Sequence, residues 1–171
     1  MAGKPLVSWL REWCQDELAG TLTAIYLADR AGAPMRRVEQ TDALVGKGLA
    51  GDRYAEGGGH WRLVDAVQVT LVCEEDIVRA ARRTGMALGN GEHRRNLVVR
   101  GIPLAAYRRR RFRIGDVLFE FQRPRPPCGY LDRVAGRGTA KALGRAAGIG
   151  ARILDGGPIR VGDPVQVIAS T

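Results

Sequence analysis

The sequence predicts an α+β domain that is mainly β, with antiparallel strands in a barrel-like sheet and a few peripheral helices. Short β-rich segments recur along the chain, and turn residues separate them. Two of these segments, FRIGDVLFEF (112–121) and IRVGDPVQVI (159–168), place Gly-Asp between β-rich halves. That pattern is typical of a bulge or a tight bend in a curved sheet. Helical periodicity is confined to a few stretches, so the helices are expected at the periphery.

The chain is predicted to begin with an amphipathic helix over residues 5–19, where apolar residues recur at helical spacing and Gly20 follows. We therefore divide it into an N-terminal helical segment, 1–19, and a β-barrel domain, 20–171. Charges interrupt every apolar stretch of this segment, which argues against a signal peptide. A helix packed on the domain is a better interpretation than a membrane anchor, and no apolar run reaches the roughly 20 residues of a membrane span.

The remaining elements follow in order. Strand-like segments cover 21–30, 66–72 and 94–99, with a further extended stretch over 35–45 and a glycine-rich loop over 46–61. A helix is predicted over 74–84, because acids lie in its first turn, arginines in its last, and Gly85 ends it. A shorter helix is predicted over 139–147. Pro164 indicates that the last β-rich segment is an edge strand or a bend.

The charge and the cysteines limit the function classes. With 27 basic and 18 acidic residues the net charge is +9, which favours an anionic partner such as nucleic acid, a phosphorylated cofactor or an acidic protein surface. The cysteines, at 14, 73 and 128, are odd in number and widely spaced, which suits a reducing cytoplasm better than a disulfide framework. The absence of CxxC and HxxxH pairs argues against a structural zinc site.

Cys128 lies in FQRPRPPCGYLD (121–132), where three prolines exclude an inner strand or a helix interior. The segment is therefore predicted to leave a strand and turn at the surface. The thiolate is the nucleophilic and metal-binding form of cysteine, and Arg123, Arg125 and a helix starting near Gly129 would favour it. The alternative is a surface cysteine without a role. Packing is the better account of the other two cysteines, Cys14 and Cys73.

Three further segments carry candidate residues, each with an ordinary alternative. In HRRNLVV (93–99), arginine suits bidentate phosphate recognition and Asn96 can donate and accept hydrogen bonds, but a solvated basic face and a turn cap explain them as well. His60 and Trp61 could form a lid, although a mobile surface loop is the better interpretation. The basic run YRRRRFR (107–113) suits nucleic acid or an acidic protein, and without accompanying aromatic motifs the nucleic-acid interpretation stays weak.

A family resemblance connects these motifs. The order GLAGDRY, QVTLV, RRNLVVRGI, FRIGDVLFEFQRPRPPC and IRVGDPVQVI resembles a MOSC domain, the domain found at the C-terminus of molybdenum-cofactor sulfurases and in stand-alone bacterial proteins. The resemblance covers residues 20 to 168. It implies a β-barrel-like fold and a cysteine, here Cys128, that carries sulfur or ligates molybdenum. The family's asparagine after the basic pair matches Asn96, and its Gly-Asp-Arg run matches residues 51–53.

The resemblance and the residues together give three functional hypotheses. In the first, Cys128 is the catalytic residue of a sulfur carrier, which takes sulfur as a persulfide from a cysteine desulfurase or another sulfur donor and passes it to a molybdenum or metal-sulfur acceptor. In the second, Cys128 is the metal ligand of a molybdenum-cofactor-binding protein or reductase of N-hydroxylated compounds. The cofactor-binding residues would be Arg53, Arg95, Asn96 and Arg125. The third is a basic nucleic-acid-binding barrel. No pyridoxal phosphate is expected on this chain, since it has neither the length nor a candidate segment for a desulfurase domain.

Overall fold

The computed structural model describes residues 18–58 and 67–168. Two 3-10 turns, Leu104–Tyr107 and Gly144–Ala146, accompany the regular elements. The strands are β1 Ala19–Leu27, β2 Arg36–Val38, β3 Gln40–Leu44, β4 Gly48–Leu49, β5 Val69–Cys73, β6 Leu97–Arg100, β7 Arg111–Ile114, β8 Val117–Pro124, β9 Ile149–Asp155, β10 Gly157–Arg160 and β11 Pro164–Val167. The helices are α1 Glu74–Thr84, α2 Gly129–Ala135 and α3 Thr139–Leu143.

Most strands form one sheet that closes on itself. Its order is β11-β7-β8-β9-β5-β6-β1-β2, and β11 also pairs with β1, so the ring closes and β2 continues the sheet beyond β1. The pairings are antiparallel except for β5 with β6, which are parallel and connected through α1. A second sheet, β10-β3-β4, lies beside the ring. The predicted α+β fold, mainly β with a barrel-like sheet, is confirmed.

The two Gly-Asp segments make tight turns, as predicted. Gly115 and Asp116 connect β7 and β8 as a hairpin, and Gly115 has a φ of 55°, which glycine adopts at little cost. The second segment turns at Gly162, φ 98°, between β10 of the small sheet and β11 of the ring. The first glycine therefore closes a hairpin, whereas the second transfers the chain from one sheet to the other.

The apolar core has two parts because the central strands are buried on both faces. Leu71 and Leu97 point into the barrel with Phe112 and Phe119, whose rings stack at 5.2 Å. Val72 and Val98, which follow Leu71 and Leu97 in the chain, belong to a second cluster that packs the outside of the sheet against the helices. Burial on both faces explains why β5 and β6 read as continuous apolar runs rather than alternating ones.

Several sequence-based boundaries need correction. The predicted helix over 5–19 lies outside the described residues up to residue 17, and Ala19 already belongs to β1. The helix predicted over 139–147 is an α-helix only to Leu143 and continues as a 3-10 turn. Pro164 does not mark an edge strand, because β11 has a neighbour on each side and Pro164 is its first residue. Strand β9 was not predicted.

In the described part of the chain, no helix is both long and apolar enough to cross a membrane.

Candidate functional site: a cysteine beside an arginine-lined cavity

A cavity of about 380 Å³ lies where four parts of the chain meet. These are the turns after β4, the residues before β6, the end of β8 with the loop that follows it, and the start of α2. The lining residues are Arg53, Tyr54, Arg94, Arg95, Arg123, Pro124, Arg125, Pro126, Cys128, Tyr130 and Leu131. Segments far apart in sequence therefore converge on one site that contains the predicted cysteine.

The loop after β8 holds Cys128 at this cavity. Strand β8 pairs with β9 as far as Pro124, and the Arg125 N–H then donates to the Gly148 carbonyl at 2.8 Å. Cys128 is extended and half-buried, and α2 begins at the next residue, as expected from the sequence. The Leu131 N–H donates to the Cys128 carbonyl at 2.9 Å. The thiol is thus anchored through its backbone on both sides, while its side chain lines the cavity.

Two arginines before β6 form a buried part of the cavity wall. Arg94 and Arg95 are each only 7% exposed, so the interpretation of this pair as a solvated basic face is wrong. Arg94 has a φ of 60°, a left-handed conformation that is uncommon outside glycine, and its guanidinium donates to the Ala33 carbonyl. Uncommon backbone conformations of this kind concentrate at functional sites.

Arg95 is fixed by carbonyl groups on two sides of the cavity. Its Nε donates to the Ala147 carbonyl at 2.5 Å, and its Nη2 donates to the Arg125 carbonyl at 3.4 Å. Burial lowers the pKa of Arg95 to about 10, although the nearby Tyr54 and Cys128 act in the opposite direction. Arg95 therefore stays charged at neutral pH, and it lies close enough to the Cys128 sulfur to interact with it electrostatically.

Arg53 is held by a buried carboxylate. Asp52 is 1% exposed, and its Oδ1 lies 3.1 Å from Arg53 Nη1. The same carboxylate accepts hydrogen bonds from the Ala28 N–H at 3.0 Å and the Tyr54 N–H at 3.2 Å. The Gly-Asp-Arg run is thus a small folding unit, in which the carboxylate shapes the turn and positions the guanidinium.

Tyr54 connects two arginines of the wall. The Arg53 guanidinium lies 4.7 Å above the centre of the Tyr54 ring, and Arg125 Nη2 donates to the Tyr54 hydroxyl oxygen at 3.1 Å. Because that oxygen accepts from Arg125, its own hydrogen remains to be donated. In residues 18–58 and 67–168 the Tyr54 hydroxyl has no acceptor for this hydrogen.

The charge of the wall has one sign. Among the described residues that line the cavity, five side chains are guanidinium groups and none is acidic. The carboxylate of Asp52 lies behind Arg53 and compensates one of the five charges. Guanidinium forks in a partly dehydrated cavity bind oxyanions well, so the site can hold an anionic ligand beside a thiol.

The structure brings together most, but not all, of the candidate residues. Arg53, Arg95, Arg125 and Cys128 line the same cavity. Asn96 does not line it: the side chain is fully buried and accepts from the Thr70 N–H at 3.1 Å and the Thr70 hydroxyl at 2.8 Å. Its Nδ2 donates to the Tyr26 carbonyl at 3.1 Å, so Asn96 ties β6 to its neighbours on both sides.

Tyr54 and Tyr130 are cavity residues that the sequence did not single out, and Arg94 was assigned to the surface. A signal existed for two of them, since Tyr54 directly follows the Gly-Asp-Arg run and Arg94 adjoins Arg95. Cys73 is buried as expected, and burial, with Asp76 and Glu75, raises the pKa of its thiol to about 12. Cys14 and the predicted lid residues at 60 and 61 lie outside the described residues.

Residues 18–58 and 67–168 contain no cluster of three or more His, Cys, Asp and Glu side chains able to hold a metal ion.

The fold and the cavity define a class: a small β-barrel that holds a cysteine against a wall of arginines. The sequence model of the MOSC domain matches residues 58–166, and the chain belongs to the MOSC domain family. This family is related to the molybdenum-cofactor sulfurases. No curated protein matches the sequence significantly.

Solved structures agree on the fold. YuaD from Bacillus subtilis superposes with a TM-score of 0.77 at 16% identity, covering 91% of this chain and 99% of that one. YiiM from Geobacillus stearothermophilus has a TM-score of 0.66 at 17% identity, with 88% and 75% covered. For YiiM from Escherichia coli the TM-score is 0.58 at 17% identity, with 91% and 70% covered. At these identities the likeness concerns the fold alone.

Proposed function

We propose that the protein is a sulfur carrier, in which Cys128 accepts sulfane sulfur as a persulfide and passes it to a metal-sulfur acceptor. The observation that carries the proposal is the position of Cys128 in an arginine-lined cavity without an acidic lining residue. Membership of a family related to the molybdenum-cofactor sulfurases supports it.

Loading is a thiolate exchange. The Cys128 thiolate attacks the outer sulfur of a donor persulfide, the donor's sulfur–sulfur bond breaks, and the donor leaves as a thiolate that takes up a proton. The product is Cys128–S–S⁻, and no net oxidation occurs. A cysteine desulfurase or another protein that carries a persulfide is the proposed donor.

The wall of arginines serves the carried sulfur. Its guanidinium groups line the same cavity as Cys128, so the persulfide anion carried there would lie in positive surroundings. Arg95 lies in the buried part of the wall, close enough to Cys128 to interact with it electrostatically, and Arg125 follows β8 in the same loop as the cysteine. The prolines restrict this loop before a partner docks, so little ordering entropy remains to be lost on binding.

Delivery of the sulfur as sulfide requires two electrons, and a second thiol can supply them. That thiol attacks Cys128 Sγ of the persulfide, forms a mixed disulfide with it and releases the outer sulfur as sulfide. Delivery to a thiolate acceptor requires no electrons, because the outer sulfur is transferred as it arrived. The half-buried sulfur is accessible for both reactions.

A second candidate function is binding of the molybdenum cofactor, as in a reductase of N-hydroxylated compounds. The residues fit this group, because a cavity of about 380 Å³ with five guanidinium groups suits its anionic phosphate and Cys128 is a soft ligand. Arg53, Arg95 and Arg125 would hold the phosphate. When bound, the cofactor would supply two-electron redox chemistry. Asn96 would take no part, because its amide is used in hydrogen bonds to Thr70 and the Tyr26 carbonyl.

Expression in a host that makes molybdopterin tests both functions on one preparation. Mass spectrometry of the purified protein should show one additional sulfur on Cys128, removable by a thiol reductant and absent from Cys128→Ser. Stoichiometric molybdenum and pterin would instead select the second function. Neither sulfur nor molybdenum, even after incubation with a desulfurase and cysteine, would refute both. Binding of DNA or RNA that is steeply salt-dependent and unchanged in Cys128→Ser would favour a nucleic-acid-binding protein.

A further inference from the structure

We propose that the cavity accepts a small sulfur oxyanion of the thiosulfate class as a direct sulfur donor. The chain would then act as a sulfurtransferase that loads Cys128 without a protein donor. This inference rests on the proposed sulfur-carrier function and identifies a substrate class for the same site.

The argument begins with the buried charge. Arg53, Arg94 and Arg95 line the cavity and are each at most 7% exposed, and the carboxylate of Asp52 pairs with Arg53. Buried charges are costly unless they are paired. Within residues 18–58 and 67–168, three buried guanidinium groups with one carboxylate give this part of the wall a net positive charge, which a small anion entering the cavity would neutralise.

A protein-bound persulfide does not meet this requirement well. It carries one negative charge on sulfur and has no oxygen atoms to accept from the guanidinium forks. Thiosulfate carries two negative charges and three sulfonate oxygens, each able to accept several hydrogen bonds. The bidentate geometry of arginine suits such an oxyanion better than it suits a lone sulfur.

The hydrogen-bond donors lie on the side of the cavity that also carries Cys128. Arg123 and Arg125 precede the cysteine within five residues of chain, and all three line the cavity. The Tyr54 hydroxyl, which accepts from Arg125, keeps its hydrogen for an acceptor in the cavity. A sulfonate group held by these donors would direct its sulfane sulfur towards the thiolate.

The reaction is balanced. The Cys128 thiolate attacks the sulfane sulfur of S–SO₃²⁻, a new sulfur–sulfur bond forms, and the original one breaks with its electron pair on the leaving sulfite. The products are Cys128–S–S⁻ and SO₃²⁻, so the charge is conserved and no oxidant or reductant is needed. The guanidinium groups stabilise the sulfite as it leaves, in the way that positive groups aimed at developing charge promote other transfers.

Turnover needs an acceptor for the carried sulfur. Cyanide takes it as thiocyanate and restores the Cys128 thiolate, again without a change in total charge. This gives a colorimetric assay that needs no physiological partner.

The test uses the full chain, purified and reduced. On addition of thiosulfate we expect one sulfite released per Cys128, one sulfur added to Cys128 by mass spectrometry, and steady thiocyanate formation with cyanide. Cys128→Ser should abolish all three signals. Arg125→Ala should lower kcat/KM for thiosulfate by about tenfold or more. Arg125→Lys keeps the charge but loses the bidentate guanidinium, so its kcat/KM should lie between those of the native protein and Arg125→Ala.

The matched control is Arg79→Ala, which removes an exposed arginine of α1 outside the cavity and should change kcat/KM less than about twofold. Sulfate should compete with thiosulfate if the oxyanion is bound by the wall. Each variant is first checked for an unchanged thermal midpoint.

The failure of this inference is distinguishable from failure of the carrier function. If a desulfurase with cysteine loads Cys128 but thiosulfate releases no sulfite, the oxyanion inference is refuted and the carrier function stands. If neither donor loads Cys128, both are refuted. The inference would also be overturned if Arg125→Ala released sulfite as fast as the native protein, because Cys128 would then react with thiosulfate without help from the arginines of the cavity.

Discussion

The buried pair of Asp52 and Arg53 allows a quantitative prediction, in which Asp52→Asn removes the charge and keeps the shape. The asparagine oxygen can still accept from the Ala28 N–H, which lies 3.0 Å from Oδ1 in the native protein. What disappears is the charge that compensates the Arg53 guanidinium, 3.1 Å away, and the acceptor for the Tyr54 N–H. A buried guanidinium beside another, Arg94, is then left without a carboxylate.

Breaking a buried ion pair on one side costs about 3–5 kcal/mol. Because the asparagine oxygen can still accept from the Ala28 N–H and from Arg53 Nη1, we expect the lower end, about 3 kcal/mol. For a protein of this size each kcal/mol lowers Tm by about 2–4 °C, which gives a decrease of about 6–12 °C. The assay is thermal and urea unfolding followed by circular dichroism.

The control is a carboxylate that also pairs with arginine, but at the surface. Glu120 contacts Arg111 and Arg152, whose side chains are 59% and 51% exposed. Exposed pairs contribute about 0–1 kcal/mol, so Glu120→Gln should lower Tm by less than about 4 °C. Equal decreases in the two variants would refute the argument that burial makes the Asp52 carboxylate important.

A second measurement connects this prediction to ligand binding. Sulfate should stabilise the Asp52→Asn variant more than the native protein, because the cavity wall has gained one uncompensated positive charge. At about 100 times its Kd, a ligand of the folded state adds about 2.7 kcal/mol. If chloride at equal ionic strength restores the same stability, the effect is screening rather than binding.

Three other outcomes are expected. Iodoacetamide should modify Cys128 at neutral pH and spare Cys73, whose buried thiol has its pKa raised to about 12, until the protein is unfolded; equal rates in the native state, by mass spectrometry, would contradict this. Burial, with Arg95 and Arg94, lowers the pKa of His93 to about 3. In the unfolded chain this histidine has its ordinary pKa near 6.5, so below that pH the unfolded state binds one more proton than the folded state. The free energy of unfolding should therefore fall by about 1.4 kcal/mol on going from pH 7 to 5.5, measured by urea unfolding. A His93→Gln variant should lose this pH dependence. If the stability of the variant still falls by the same amount between pH 7 and 5.5, His93 is not its cause. Hydrogen bonding by Arg152, with a further contribution from Arg111, lowers the pKa of Glu120, so its stabilisation is present above the unfolded pKa and is lost in more acidic solution. The Tm difference between native protein and Glu120→Gln should accordingly shrink below about pH 4, and a difference that persists at pH 2 would show that it is not electrostatic.

Local patterns predicted much of the fold. The helix over 74–84 has the same bounds in the structure, because its charges, its periodicity and Gly85 all agree. Strand β9 was not recognised, because its Gly-Ala-Arg start has little β character and its pairing with β5 and β8 supplies what the local sequence lacks. Pro164 indicated an edge strand or a bend, because a proline rule concerns one N–H. That β11 has a neighbour on each side follows from ring closure, which is a property of the whole sheet.

The site was predictable where the chemistry is local. Cys128 and Arg125 share one loop, so their proximity follows from sequence distance. The roles of Arg95 and Asn96 depend on which way each side chain faces just before β6, where adjacent residues face opposite ways. A one-residue difference in register therefore separates a cavity residue from one that ties strands together.

The pairing of β11 with β1 has a consequence for biosynthesis. Ala19 lies opposite Gln166, so the ring joins residues near opposite ends of the described chain. During translation, β1 and β7 expose unpaired edges until residues 164–167 have emerged, and such edges can pair with another nascent chain. Because the arginine cavity is built around strands of this ring, a ribosome that stalls before β11 would release a chain in which the cavity is incomplete. We therefore expect Cys128 to meet its arginine neighbours only after synthesis has passed the last strand.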